Sequence, residues 1–346
     1  MSLLDKLKKN STIKDTAILS KSKFFTEKDV IQTNVPMVNV ALSGKLDGGL
    51  TPGLTMLAGP SKHFKTAFAL LMAAAYQKKY PDAVVLFYDS EFGTPTKYFE
   101  TFNINMENVL HTPITDVEQL KFDIMQQLQN LEATDKVIIV LDSIGNLASK
   151  KEVEDALDGK SVADMSRAKQ MKSLFRMVTP HLTIKDIPMV VVNHTYKEIG
   201  MFPKDIVGGG TGSYYSADTI WILGRQQDKT GTEITGYHFI INVEKSRHVR
   251  EKSKIPITVS FEGGILKYSG LLEVALDGGF VQKPSNGWYA KVDQETGELG
   301  TKYREADTHT KEFWNELLNN SKFAEFINKK YSITYSSIMG TENEMA

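Results

Sequence analysis

Gly59-Pro60-Ser61-Lys62-His63-Phe64-Lys65-Thr66 follows directly on the apolar run Leu54-Thr55-Met56-Leu57-Ala58 and passes into a helical pattern from Thr66. The spacing is that of a phosphate-binding loop with one departure, since Phe64 stands where the final glycine of such a loop belongs. A strand entering this string and a helix leaving it aim backbone N–H groups, and the positive end of the helix, at phosphate oxygens. Lys65 is then placed for the β and γ phosphates of a nucleotide, and Thr66 offers a hydroxyl to Mg²⁺. Phe64 brings a Cβ and bulk to a position usually free of both, which predicts altered nucleotide affinity or loop mobility. A turn with a solvated lysine is the competing reading of the string taken alone.

Working outward, short β-branched runs alternate with helical patterns: VVLFYDS at 84–90, VIIVLDS at 137–143, MVVVNH at 189–194, TIWILG at 219–224 and FIINVEKS at 239–246. This alternation predicts an α/β fold, a twisted and mostly parallel sheet flanked by helices. Ligands then bind at the carboxyl ends of the strands. The turn phrases DKTGTEITG at 228–236 and SFEGGI at 260–265 predict antiparallel hairpins at one edge of the sheet. The expected organisation is an arm at 1–32, a core at 33–268 and a small carboxyl-terminal domain at 269–346. The arm carries a short amphipathic helix with Leu3, Leu4 and Leu7, and then KSKFF. That helix either packs on its own domain or docks on a neighbouring subunit. The carboxyl-terminal part is expected to hold a short helix in LLEVALDGG, an aromatic turn NGWYA at 286–290, a helix over 310–329 and a frayed end, TENEMA.

The 346 residues carry 41 Lys plus Arg against 42 Asp plus Glu, a net charge of −1. A globally basic surface is excluded, so any nucleic-acid contact must come from local stripes. With no cysteine there is no disulfide framework, thiol nucleophile or Cys-ligated metal site. The apolar runs fall far short of the roughly 20 residues that span a bilayer, and charges interrupt the amino-terminal hydrophobic residues. A soluble, cytoplasmic protein with no membrane partner is expected.

Other candidate residues follow from the strand ends. Asp142 closes VIIVLDS and is placed to hold Mg²⁺ through water. Glu91, just past VVLFYDS, reaches the same sheet edge and is the candidate for polarising an attacking water; a solvated strand-end carboxylate is the plainer reading. His194 ends MVVVNH and precedes a glycine-rich stretch with Gly208, Gly209, Gly210 and Gly212, mobile by composition. It is placed to sense a γ-phosphate, although a histidine there is more often a cap or core residue. In the helix predicted over 165–178, Met171, Leu174, Phe175 and Val178 form a packing face. Lys169, Lys172 and Arg176 form a second stripe with Arg167 nearby, either a solvated face or a phosphate-binding one. Lys245, Arg247, Arg250, Lys252 and Lys254 form another basic cluster, suited to DNA phosphates or to a nucleotide held by an adjacent subunit.

Taken together, GPSKHFKT with its Phe64, LFYDSEFG, DSIGNLASKKE, AKQMKSLFR, NHTY, GGGTG, NVEKSR and YSGLL resemble the RecA-type recombinases, and most closely those of T-even-like phages, over nearly the whole chain. The resemblance implies a RecA-like P-loop ATPase core using ATP and Mg²⁺, which assembles as a helical filament on single-stranded DNA. It further implies pairing with homologous double-stranded DNA and help from a single-stranded-DNA-binding protein and a recombination mediator. By the same resemblance Glu91 activates the water, residues 59–66 hold the phosphates, Tyr98 stacks on adenine, and Asn193-His194 stands at the γ-phosphate sensor. Loops at about 149–164 and 195–212 line the DNA channel, with Lys169 and Arg176 at basic positions of the family. Lys245 and Arg247 reach the neighbour's ATP, the arm drives polymerisation, and an acidic tail commonly follows. A hexameric helicase motor on the same core and an ATP-regulated scaffold are the other readings.

Overall fold

The computed structural model describes residues 2–13, 15–22, 24, 28–159, 166–198, 204–230 and 233–333. The strand before the phosphate loop, β1 (Gly53–Ala58), is buried along its whole length and lies inside the main sheet. Around it are β2 (Val84–Asp89), β3 (Val109–Pro113), β4 (Val137–Asp142) and β5 (Pro188–Asn193). A small pair follows, β6 (Thr195–Lys197) with β7 (Asp205–Val207), and then β8 (Thr219–Thr230), β9 (Glu233–Ser246), β10 (Lys254–Ser260) and β11 (Gly264–Ile265). Among the described residues the main sheet runs β11-β10-β9-β8-β1-β5-β4-β2-β3. The pairs from β8 to β3 are parallel, and those from β8 outward to β11 are antiparallel. The expected parallel core with antiparallel hairpins at one edge is therefore what forms.

Two apolar layers sandwich the sheet because alternate residues of each strand face opposite sides. In β4, Ile138 and Val140 join the layer under α2 (Pro36–Ser43) and α3 (Lys65–Lys79), whereas Ile139 and Leu141 join the layer under α5 (Val117–Asn130) and α7 (Ser166–Ile184). Helix starts follow local chemistry: Pro36 opens α2, the Asp116 side chain accepts the Gln119 N–H at α5, and Ser149 forms a capping box with Glu152 at α6 (Lys150–Leu157). Short α4 (Thr96–Thr101) follows β2, and α8 (Gly210–Ser216) follows β7.

Helix α7 extends beyond the predicted end at 178 and through Pro180; residue 165, where the prediction began, lies outside the described residues. The stretch read as a glycine-rich loop is more ordered than composition suggested. Residues 195–197 and 205–207 pair as β6–β7, and α8 begins at Gly210, while 199–203 lie outside the described residues. Gly212 serves close packing there, since a Cβ would lie 2.6 Å from Lys172 Cβ on α7.

Beyond α9 (Leu271–Asp277) the sequence reading needs two corrections. Trp288-Tyr289-Ala290 belong to a strand, β13 (Trp288–Val292), which lies between β12 (Val281–Ser285) and β14 (Leu299–Arg304) in a three-stranded antiparallel sheet. Only Asn286-Gly287 turns, with Gly287 at φ 73°. The single helix expected over 310–329 is two, α10 (Lys311–Leu318) and α11 (Ser321–Tyr331). Asn320 breaks it: its Oδ1 accepts the N–H groups of Lys322 and Phe323 and so starts a new helix. Phe313, Trp314, Phe323 and Ile327 pack into the same apolar layer as α2 and α3. TENEMA lies outside the described residues.

At the other end, α1 (Leu3–Asn10) is capped by Ser2 and Asp5 but buries none of its residues; Leu3 is 73% and Leu7 60% exposed. Of the two readings of that helix, packing on its own domain is not seen among the described residues, whereas the end of the arm does pack: Ile31 is buried and bridges Leu50. Part of KSKFF, residues 23 and 25, lies outside the described residues.

Candidate nucleotide site

The loop after β1 ends on Phe64, the residue that caps α3. Its φ of 56° lies in the left-handed region, where glycine is the usual occupant. The aromatic ring compensates: it sits 5.1 Å from the Phe239 ring on β9 and packs against the core layer below. Lys62 is also left-handed, at φ 61°, and its carbonyl accepts a hydrogen bond from Arg225 Nη1 at 2.9 Å. Thus two strands of the antiparallel edge brace a loop whose own sequence lacks the permissive glycine.

Beside the loop lies a cleft of about 420 Å³ lined by Ser61, Lys62, His63, Phe64, Lys65, Thr66, Glu91, Tyr98, Asp142 and His194, with Arg225 and Tyr237. Gly59 and Pro60 form the loop's entry rather than its lining; the Pro60 carbonyl accepts from Lys65 Nζ at 2.8 Å. Lys65 is only 6% exposed, and burial lowers its pKa while Glu91 and Asp142 oppose that shift. The His63 ring lies 2.9 Å from the Ser61 carbonyl by its Nδ1, and burial pushes its pKa down.

Thr66 Oγ1 donates to Asp142 Oδ2 at 2.6 Å, which puts the hydroxyl and the strand-end carboxylate side by side. The other oxygen, Oδ1, is buried without a partner. Burial pushes the Asp142 pKa up to about 6, with Glu91 and Asp89 adding repulsion and Thr66 and Lys65 opposing it. An orphaned carboxylate oxygen beside a hydroxyl is a hard, oxygen-only donor set, and it fits Mg²⁺ held by Thr66 and, through water, Asp142.

Glu91 is held on three sides. Its Oε1 accepts from Ser143 Oγ at 2.6 Å and Asn146 Nδ2 at 3.3 Å, and lies 2.9 Å from His194 Nε2. The His194 contact, then Ser143, brings its pKa down to about 2 against the opposing effect of burial. Gly145 makes room for this arrangement, since a Cβ there would lie 2.1 Å from His194 Cδ2. Asn193 hands His194 on to the next segment: its Oδ1 accepts the His194 N–H and its Nδ2 donates to the Gly208 carbonyl, both at 2.8 Å.

Tyr98, which reaches the cleft from α4, also lines a larger adjoining cavity of about 770 Å³. Gly263, Gly264 and Ile265 are among the residues that line that cavity. These three, with Arg225, Tyr237, Ser143 and Gly145, are site residues that sequence reasoning missed. They come from strands and turns remote from the loop; Ser143, Gly145 and Gly263–Ile265 lie in phrases already quoted, but nothing in those phrases shows what they face.

The basic candidates lie elsewhere. Lys169, Lys172 and Arg176 stand exposed on α7 as predicted. Arg167 leaves that stripe: its guanidinium donates to the carbonyls of Ile144, Gly145 and Leu147, fixing the turn after β4. Gly208, Gly209 and Gly210 join β7 to α8, with Gly209 and Gly210 in the left-handed region at φ 85° and 75°. Lys245 and Arg247 do not line the cleft of their own chain. Lys245 Nζ donates to the Tyr214 and Tyr215 carbonyls, and Arg247 pairs with Asp218 at 2.5 Å.

The RecA N-terminal domain family matches residues 4–266, and the family described as bacteriophage T4 recombination and repair protein, C-terminal domain, matches 268–327. The recombination and repair protein of Enterobacteria phage T4 is 52% identical over 96% of this chain and 86% of its own length. Protein RecA of Bacteroides thetaiotaomicron is 26% identical over 78% of this chain and 80% of its own, and that of Aquifex aeolicus 26% over 72% of each. With a phosphate loop, an acidic strand end and a carboxylate meeting at one sheet edge, and with these matches along its length, the chain belongs to the RecA family.

Proposed function

We propose that this protein is an ATP-dependent DNA recombinase that assembles as a helical filament on single-stranded DNA and pairs it with a homologous duplex. The observation that carries the reading is the meeting of Lys65, Thr66, Asp142, Glu91 and His194 on one cleft, with His194 joined directly to the segment that leads toward the basic stripe of α7. The names of the phage T4 and RecA relatives support it.

In this reading residues 59–66 cradle the phosphates, Lys65 leaves the Pro60 carbonyl for them, and Thr66 and Asp142 hold Mg²⁺. When bound, Mg²⁺ neutralises phosphate charge. Glu91 orients the attacking water. His194 and Ser143 keep Glu91 ionised and fixed, and His194 exchanges Glu91 for the γ-phosphate, passing nucleotide state to Gly208–Gly210 through Asn193. Tyr98 stacks on adenine at the mouth of the larger cavity. Lys169, Lys172 and Arg176, with Gly208–Gly210, contact the single strand, whereas Arg167 positions the turn after β4.

Self-association rests on the exposed leucines of α1 and on Lys245 and Arg247, which reach a neighbour's nucleotide. The duplex, a single-stranded-DNA-binding protein and a mediator complete the partners. No helix among the described residues is long and apolar enough to cross a membrane, in keeping with work on cytoplasmic DNA. The chain is divided as an arm at 1–32, an ATPase core at 33–268 and a small domain at 269–346.

The test is ATP hydrolysis with and without single-stranded DNA, in the wild type and in Lys65→Ala. DNA-stimulated turnover that Lys65→Ala abolishes is expected. Turnover indifferent to DNA moves the reading to an ATP-regulated scaffold.

A further inference from the structure

We propose that Asp89 is the positioning residue for Glu91 and that His111, on the edge strand β3, holds Asp89 in place. The inference rests on the reading of Glu91 as the group that orients water. Asp89 ends β2 and is 5% exposed. A carboxylate so buried is costly unless its oxygens find partners. Its Oδ1 accepts two consecutive backbone N–H groups, Glu91 at 3.0 Å and Phe92 at 2.8 Å, while Oδ2 faces His111 Nε2 at 3.2 Å.

The two N–H bonds set the path of the chain at Glu91. Phe92 is left-handed at φ 53° and 60% exposed, so unlike Phe64 it has little packing to offset that conformation. The Asp89 carboxylate supplies the compensation by taking its N–H. Ser90, between them, binds the other neighbour: its N–H donates to the Asp142 carbonyl at 2.9 Å and its Oγ to the Ser143 carbonyl at 2.6 Å. The turn is thus fastened to β4 through Ser90 and to β3 through Asp89, whose own carbonyl accepts from the Ile114 N–H at 2.9 Å. Glu91 Cα is fixed from both sides, and its carboxylate meets Ser143 and His194 without a search.

His111 completes the device from the sheet edge. Its ring stacks on Phe87, its register partner on β2, at 5.8 Å between centroids and 30° between planes. The imidazole is therefore oriented by packing and presents Nε2 to Asp89. Because β3 is the last strand on its side of the main sheet, whatever lies against β3 acts on His111 and, through Asp89, on Glu91.

The test is steady-state ATP hydrolysis by the full chain with saturating single-stranded DNA. A group misplaced by about an ångström loses roughly 10²-fold in rate, so Asp89→Ala is expected to lower kcat by about that factor. KM for ATP should stay within about threefold, because phosphate binding is untouched. Asp89→Asn keeps an oxygen for the two N–H groups and should recover kcat to within about tenfold of the wild type. Asp89→Ala added to Glu91→Gln should cost nothing further, since residues acting as one unit are non-additive. A wild-type kcat in Asp89→Ala, an equal failure of the Ala and Asn variants, or an additive loss in the double variant overturns the proposal. Should Asp89→Ala show no cooperative melt, His111→Ala takes its place, with kcat lowered about threefold to tenfold, the worth of one hydrogen bond, at constant KM; an unchanged kcat overturns it. If instead Glu91→Gln alone keeps the wild-type rate, the water-orienting reading fails. A dead Glu91→Gln beside a fully active Asp89→Ala refutes the positioning role only.

Discussion

Glu91 Oε1 lies 2.9 Å from His194 Nε2, although the two residues are 103 positions apart in the chain. The contact joins the strand-end carboxylate of the cleft to the residue that immediately precedes β6, so the cleft and the β6–β7 segment share one hydrogen bond.

The pairing has a pH signature. Glu91 is held at about 2, below its ordinary 4.5, chiefly by His194 and then by Ser143. A depressed acid contributes stability that is full above its unfolded pKa and lost as pH falls through the folded one. The difference in melting temperature between wild type and Glu91→Gln should therefore close as pH falls from about 4.5 toward 2. A difference that widens on acidification would contradict the pairing.

Gly145→Ala should keep the fold and damage the site. The new Cβ would lie 2.1 Å from His194 Cδ2, so the ring must move and the Glu91 contact is lost. A fall of about tenfold to 10²-fold in ATPase kcat, with a melting temperature within a few degrees of the wild type, is expected. An unaltered kcat would show that the His194 position does not matter.

Phe64 tests how a phosphate loop manages without its glycine. Phe64→Ala keeps the left-handed strain, about 1 kcal/mol, and loses the ring's packing on Phe239, a further 1–2 kcal/mol or so. Phe64→Gly loses the same packing and removes the strain. The glycine variant should thus be the more stable of the two by about 1 kcal/mol in denaturant unfolding, with the wild type level with it or up to about 1 kcal/mol above it. Equal stability of the two would mean that the φ of 56° costs nothing.

The α7 stripe should show itself in salt dependence. Replacing Lys169, Lys172 and Arg176 together by alanine should weaken single-stranded DNA binding without sequence preference. The slope of log affinity against log salt should fall by about 2, at roughly 0.7 per phosphate contact. Arg167→Ala should instead lower thermal stability and ATPase, because its guanidinium holds three carbonyls of the turn after β4. An unchanged slope in the triple variant would identify the stripe as a solvated face.

Much of this was legible in sequence because it is local. The strand–loop–helix at Leu54–Thr66 and the strand-end Asp142 and Glu91 are fixed by contiguous residues and by the rule that parallel strands present their carboxyl ends together. What escaped depends on long-range approach. Arg167 reads as one more cation on a basic face until the turn at Ile144–Leu147 folds beneath it. Gly145 and Gly263–Ile265 lie in quoted phrases that do not say what they face, Arg225 lies in none, and all of them matter through what lies opposite. The Gly208–Gly212 stretch reads as mobile by composition, yet Gly212 is small because Lys172 packs against it. In the carboxyl-terminal part, aromatic Trp288-Tyr289 suggested a turn, but antiparallel pairing with β12 on one side and β14 on the other makes a strand. Asn320 splits the helical periodicity because its side chain competes for backbone N–H groups.

The most direct measurement is joint-molecule formation by the purified protein with ATP, Mg²⁺ and a single strand, offered either a homologous or an unrelated supercoiled duplex. Product with the homologous duplex alone, lost in Lys65→Ala, is what a recombinase built on this cleft gives. Absence of product with both duplexes, together with unwinding of a forked substrate, would contradict it and identify a helicase motor instead.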